Sequence, residues 1–103
     1  MNSRGERHKE LSIIARFHAR EGHEVALAAI LRSEVAASQT DPGCLSHRAY
    51  RSVRDPQLFF IQSHWVDEAA FENHIGLPHT VQFAESVQPM IDHELEPIRL
   101  RAI

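Results

Sequence analysis

Leu58-Phe59-Phe60-Ile61-Gln62-Ser63-His64-Trp65 runs directly into Val66-Asp67-Glu68-Ala69-Ala70-Phe71-Glu72-Asn73-His74, and Leu77-Pro78-His79 follows at once. The segment over 58–66 is rich in aromatic and β-branched residues, the composition of a strand. Asp67 is placed to cap a helix, because a short carboxylate there accepts from the first free backbone N–H groups. Glu68 adds negative charge to the same first turn. The helix is expected to run through Ile75, where Gly76-Leu77-Pro78 interrupts it. One indole and two imidazoles are thus gathered at a strand–helix junction. Such a junction suits a flat organic substrate, and equally a packed core.

Outward from this stretch, the pattern repeats its change of period. Leu11, Ile13, Ala15, Phe17 and Ala19 alternate with Ser12, Ile14, Arg16, His18 and Arg20, which reads as a strand that Glu21-Gly22 breaks. Residues 25–38 form a helical stretch with Leu27, Leu31, Val35 and Ser38 along one stripe. Asp41-Pro42-Gly43 ends it in a tight turn. Residues 44–53 alternate again, and Arg54-Asp55-Pro56-Gln57 is a hairpin connection to the strand at 58. A third helix is expected over 79–91, with Phe83, Val87, Met90 and Ile91 on one side and Pro89 marking a kink or early stop. Ile98, Leu100 and Ala102 alternate with Arg99 and Arg101 in a last strand. The order β-α-β-β-α-(α)-β is that of an α+β ferredoxin-like split βαβ sandwich. Residues 1–9 are polar and aperiodic and read as a flexible arm, leaving 10–103 as one domain. The helices cover one sheet face, and the apolar residues of the other call for a second copy of the chain.

Composition narrows the function. A chain of 103 residues suits a single domain that buries roughly 60–70% of its unfolded surface. No apolar run approaches the roughly 20 residues that span a bilayer. The formal charge of −3 carries no basic stripe, which argues against nucleic acid. The single cysteine, Cys44, excludes an internal disulfide and a thiolate zinc site, and reads as a small buried filler. A cytoplasmic location is the expectation. Neither GxSxG, a phosphate loop nor a dinucleotide fingerprint occurs.

Three side chains bear on chemistry. Trp65 is either a core tryptophan whose indole N–H finds a nearby acceptor, or a stacking wall for a planar substrate. His74 lies three residues beyond Phe71 on one helix face, as a structural histidine or as a general base near neutral pH. His79 opens the third helix, as a helix-start cap or surface residue or as a second catalytic histidine, and the helix dipole there favours a neutral imidazole. His74 and His79 show no HExxH or paired-carboxylate spacing, so no metal site is expected. For the hairpin, a turn centred on Asp55-Pro56 sets Val53 against Leu58. Tyr50, Arg48 and Ser46 then face Ile61, Ser63 and Trp65. Cross-strand neighbours share a face, so Tyr50, Arg48, Ser46, Ser63 and Trp65 fall together, with Ala49, His47, Gln62 and His64 on the other side. A one-residue slip exchanges the two sets.

Ala15-Arg16-Phe17 with Glu21-Gly22, Asp41-Pro42-Gly43-Cys44-Leu45, Tyr50-Arg51-Ser52 with Asp55-Pro56, the Trp65-to-His74 stretch and Pro78-His79 together resemble the antibiotic biosynthesis monooxygenase domain family, including its quinol monooxygenase-like members. The resemblance runs from Leu11 to the C-terminus. It implies a dimeric α/β barrel with a pocket between sheet and helices, and oxidation of hydroquinones or anthrone-like aromatics by dioxygen without metal or flavin. Trp65, His74 and His79 match the family's tryptophan and two histidines. Ser63 stands where the family usually has a glutamate, which removes a charged pocket group. A haem-degrading branch fits less well, since its asparagine, tryptophan and histidine fall on Ala15, His74 and Ala84. The expectation is a cofactor-free monooxygenase. His74 and His79 are its catalytic groups, and Trp65, Phe71, Ser63, Arg48 and Tyr50 its substrate contacts. The alternatives are an isomerase of a small phosphorylated signalling molecule, with Arg48 on the anion, and a dimeric binding protein without turnover.

Overall fold

The structure, a computed structural model, describes residues 9–103; the arm expected over 1–9 lies outside the described residues except for Lys9. The elements are β1 (Leu11–His18), α1 (Glu24–Ser38), β2 (Cys44–Arg51), β3 (Leu58–Trp65), α2 (Glu68–Ile75), α3 (Pro78–Val87) and β4 (Ile98–Leu100). They form one sheet in the order β2-β3-β1-β4, with every neighbouring pair antiparallel. This is the ferredoxin-like α+β arrangement.

Alternation in β1 and β3 does what the sequence demands. Leu11, Ile13, Ala15 and Phe17 are buried, as are Phe59, Ile61, Ser63 and Trp65, so one face of the central pair is closed over by the helices. Two apolar clusters result. Phe17, Leu27, Leu31, Phe59, Val87 and Ile91 belong to the larger; Leu11, Ile13, Trp65 and Phe71 make the smaller. Asp67 caps α2 as expected, its Oδ1 accepting from Ala70 N–H at 2.8 Å. The third helix stops at Val87, ahead of the expected end at Ile91. Pro89 cannot continue the α-helical ladder, and a single 3-10 turn over Gln88–Met90 takes its place.

Three local expectations are corrected. The buried stripe of α1 is Leu27, Leu31, Glu34 and Ser38, with Glu34 in the place given to Val35. The last strand is only three residues long, and Ala102 falls beyond it. The hairpin register is shifted by one residue: Tyr50 pairs with Phe60, Arg48 with Gln62 and Ser46 with His64. The cause is the loop. Its closing bond runs from Ser52 N–H to Leu58 O at 2.8 Å, and the Ser52 hydroxyl accepts from Arg54 and Asp55 N–H, so Val53 is thrown into solvent instead of pairing.

Gly43 is the hinge that positions the site. It sits at φ +81°, a conformation disfavoured for residues with a Cβ, and a Cβ there would lie 2.5 Å from Ala70 Cβ and 3.0 Å from Val66 Cγ2. Its carbonyl accepts from Val66 N–H at 2.9 Å. The turn carrying Asp41 is thereby pressed against the β3–α2 junction.

Candidate functional site

A cavity of about 320 Å³ lies between the sheet and α2 and α3. Its walls are mostly apolar: Ile13, Ala15, Phe17 and Ile61 from the sheet, and Phe71, Val81, Phe83 and Ala84 from the helices. Its polar residues are Ser63, His47, His74, Thr80, Glu34 and Glu85, and no lysine or arginine is among its lining residues. A space of this size and character suits a small, largely apolar molecule with a few polar substituents.

His74 reaches the cavity because α2 starts at the Asp67 cap and presents Phe71 and His74, one turn apart, toward the sheet. Its Nδ1 lies 2.7 Å from Asp41 Oδ2 in the turn after α1. With Nδ1–H donated to that carboxylate, Nε2 is left with the lone pair, the tautomer a general base needs. The ring is held on its other side by Trp65, with centroids 4.5 Å apart, and flanked by Phe71 at 5.9 Å.

Trp65 is therefore not the stacking wall. It is completely buried, is not among the cavity-lining residues, and donates its indole N–H to Ser63 Oγ at 2.9 Å. Its place is behind His74. Ser63 does line the cavity, and accepting from the indole leaves its own O–H free to donate. His79 stands a layer further back. Its Nε2 meets Asp41 Oδ2 at 2.9 Å and its Nδ1 meets Glu34 Oε1 at 2.9 Å. The surroundings of His79 act against the dipole argument for a neutral ring. Burial pushes this imidazole down, but the hydrogen bonds and charges of Glu34 and Asp41 outweigh it and hold the pKa above the ordinary value. Arg48 and Tyr50 are on the opposite sheet face from Trp65, Ser63 and the cavity, a direct consequence of the shifted register.

That register delivers a residue which the earlier pairing had set on the far face. His47 is buried, lies opposite Ser63, lines the cavity, and packs against Trp65 and His74 with ring centroids 6.3 and 5.8 Å away. Its Nδ1 is buried without a hydrogen-bond partner among the described residues. Burial, with the neighbouring His74 adding to it, pushes its pKa down to about 4, so the ring is neutral at neutral pH. Asp41 and Glu34 are the other residues that sequence reasoning passed over. Asp41 was legible only as a turn former. Glu34 is signalled by its spacing, three beyond Leu31 and four before Ser38. Cys44 lies near Asp41; burial first and that charge second raise its pKa, which keeps it a thiol rather than a nucleophile.

The fold and the cavity define a class: a ferredoxin-like α+β domain with a pocket between one sheet face and its helices. Residues 11–86 match the model of the antibiotic biosynthesis monooxygenase family, and the chain belongs to it. No curated protein matches the sequence. Among solved structures it is similar to PA3566 from Pseudomonas aeruginosa, at 29% identity over 92% of this chain and 95% of that one, with a TM-score of 0.84. Rv0793 from Mycobacterium tuberculosis superposes with a TM-score of 0.85 at 22% identity, over 91% of this chain and 95% of that one. SnoaB from Streptomyces nogalater, described as a cofactor-independent oxygenase, does so with a TM-score of 0.81 at 18% identity, over 91% and 93%. The last two likenesses establish the fold. Among the described residues no helix is long and apolar enough to cross a membrane.

Proposed function

We propose that the cavity oxidises a small aromatic quinol- or anthrone-type substrate with dioxygen, His74 acting as the general base. The observation that carries this is the Asp41–His74 pair at 2.7 Å, whose imidazole is set in the wall of a mostly apolar cavity. His74 Nε2 takes the proton of the substrate hydroxyl. The neutral His47 and the Ser63 hydroxyl offer hydrogen bonds to the resulting oxyanion. Phe71 and Phe83 confine the ring. The electron-rich anion passes electrons to dioxygen: one oxygen atom enters the substrate carbon, the other leaves as water, and the substrate supplies all four electrons. Orientation and anion stabilisation are the protein's share of the work. The family and its oxygenase relative support the reading. The absence of lysine and arginine from the cavity lining, with Arg48 turned away, disfavours a phosphorylated substrate.

The open face of the sheet carries Ile14, Phe60, Tyr50, Ile98 and Leu100 among polar neighbours, and a second copy of the chain is the partner that would cover it and close a barrel. A dimer mass in sedimentation at micromolar concentration is the expected result; a monomer mass rejects it. The cytosol, where a lone thiol stays reduced, is the compartment this reading assigns.

The activity is tested by oxygen uptake with a panel of hydroquinones and anthrones, using wild type and His74→Ala. Uptake by wild type that falls about 10²–10⁴-fold in the variant is expected of a lost general base. Uptake unchanged by the substitution removes His74 from the mechanism, and no uptake on any substrate rejects the activity.

A further inference from the structure

We infer that Asp41, His74 and His79 form a binding site for a divalent transition cation of the zinc type, with Glu34 as its supporting outer carboxylate. Four separate elements bring these side chains together: α1 supplies Glu34, the turn after it Asp41, α2 His74 and α3 His79. One ligand atom from each of Asp41, His74 and His79 lies within 4.8 Å of the other two. Asp41 Oδ2 is 2.7 Å from His74 Nδ1 and 2.9 Å from His79 Nε2. Ligands 2.0–2.1 Å from a tetrahedral zinc stand about 3.3 Å from one another, so these two contacts need to open by only about half an ångström. Two imidazole nitrogens and one carboxylate oxygen form a donor set that zinc accepts in open, three-ligand sites.

Two further observations point the same way. His79 offers Nε2 to the cluster while its Nδ1 lies 2.9 Å from Glu34 Oε1. A carboxylate on the far nitrogen of a ligating histidine fixes the ring and its tautomer, the usual outer partner of a metal-bound imidazole. The charge count also fits. The Glu34 and Asp41 side chains are only 5% and 10% exposed, and among the described residues their ion pairs are to these two histidines alone, never to lysine or arginine. One divalent cation balances two carboxylates with both imidazoles neutral, whereas without it the balance requires protons on the rings. Thr80 Oγ1, 3.4 Å from His74 Nδ1, is a further oxygen donor at the same place.

The cation and the proposed oxidation compete for His74, because a cation on Nδ1 leaves the proton on Nε2 and removes the general base. The test reads binding and not turnover, so the two readings fail separately. The untagged full-length chain, stripped with chelator, is titrated with Co²⁺ and followed by visible ligand-field absorption, then challenged with Zn²⁺. One Co²⁺ per chain, displaced by Zn²⁺, is expected. Glu34→Gln should weaken binding by about 10–100-fold, the effect of losing an outer-shell partner, and His79→Gln by more than that. His79 is partly exposed, so its variant keeps the fold even where Asp41→Asn does not, and circular dichroism verifies this. His18→Gln, in the other histidine–carboxylate cluster, should bind as wild type does. Absence of a Co²⁺ spectrum in wild type overturns the site. So does equal binding by His79→Gln, or an equal loss in His18→Gln, either of which marks adventitious surface histidines.

Discussion

Two histidine–carboxylate clusters sit at opposite ends of the central strand pair, built from the same residue types. At one end His18 Nδ1 is 2.6 Å from Asp92 and its Nε2 is 3.4 Å from Asp55, with both carboxylates more than 40% exposed. At the other, His74 and Asp41 are 6% and 10% exposed. The distances are alike; the surroundings are not. Water and salt screen the His18 contacts, and exposed pairs of this kind contribute little. In the buried cluster the carboxylates sit in a medium of lower effective dielectric, and each must be matched locally. Burial, not residue identity, turns one of two similar clusters into a candidate site. Each end is also served by a glycine at positive φ, Gly22 or Gly43, and here again the surroundings differ. Nothing lies within 4 Å of a Cβ placed on Gly22, while one on Gly43 collides with α2.

The largest expected difference between the two ends is functional. If the proposed oxidation holds, His74→Ala is expected to lower oxygen uptake by orders of magnitude and His18→Ala to leave it at the wild-type rate. A matching loss in both would mean that the contrast reports folding alone, which thermal unfolding of the two variants would reveal.

The glycines come next. Gly43→Ala is expected to cost about 3–4 kcal/mol, from backbone strain of about 1–2 kcal/mol and the rest from overpacking against Ala70. Gly22→Ala should cost only the strain. For a domain near 100 residues each kcal/mol lowers Tm by about 4–8 °C. Equal losses would show that the Gly43 turn is free to move away from α2.

A smaller effect separates His47 from His79 through pH, measured by denaturant unfolding with chelator present. The folded pKa of His47 is depressed, from 6.5 to about 4. The unfolded chain therefore binds this proton first, and stability falls as the pH drops from about 6.5 through 4, by about 3 kcal/mol at most. His47→Gln should flatten that acid limb. The folded pKa of His79 is raised, so its contribution is complete below about 6.5 and is lost as the pH rises through the folded value. His79→Gln should flatten the decline on the alkaline side and leave the acid limb in place.

The smallest effect belongs to the exposed cluster. His18 holds Asp92 below the usual carboxylate range by hydrogen bonding, yet Asp92→Asn is expected to leave the unfolding midpoint unmoved in moderate salt. A clear shift would show that the exposed end is coupled to the core more tightly than its accessibility suggests.

The legible part of the site was the part encoded locally. Asp67 announces the helix, and Phe71 and His74 follow on one face at a spacing of three. Ser63 was correctly set beside Trp65, because alternation along a single strand needs no partner. What failed was the residue-by-residue pairing across the hairpin, though the hairpin and the strand arrangement themselves hold. Arg48 and Tyr50 were joined to the pocket, and His47 kept out of it, by one residue of register that depends on whether Ser52 or Val53 closes the loop. Asp41 and Glu34 went unread for a different reason. A turn aspartate and a helix glutamate are common at the surface; the spacing of Glu34 on the Leu31–Ser38 stripe hints at its burial, but only the structure sets both carboxylates beside the histidines.

The periods of two and 3.6, the capping aspartate and the proline stop are short-range properties, and they determined the element order, the fold class and the position of His74. Tertiary structure alone decided which strand register holds, and so that His47 faces the cavity. It alone set Trp65 behind the catalytic candidate instead of in front of the substrate, and joined Glu34, His79, Asp41 and His74 into one array. Side-chain chemistry is written residue by residue, but the register that aims it is set by loop closure and packing, which act between residues far apart in the chain.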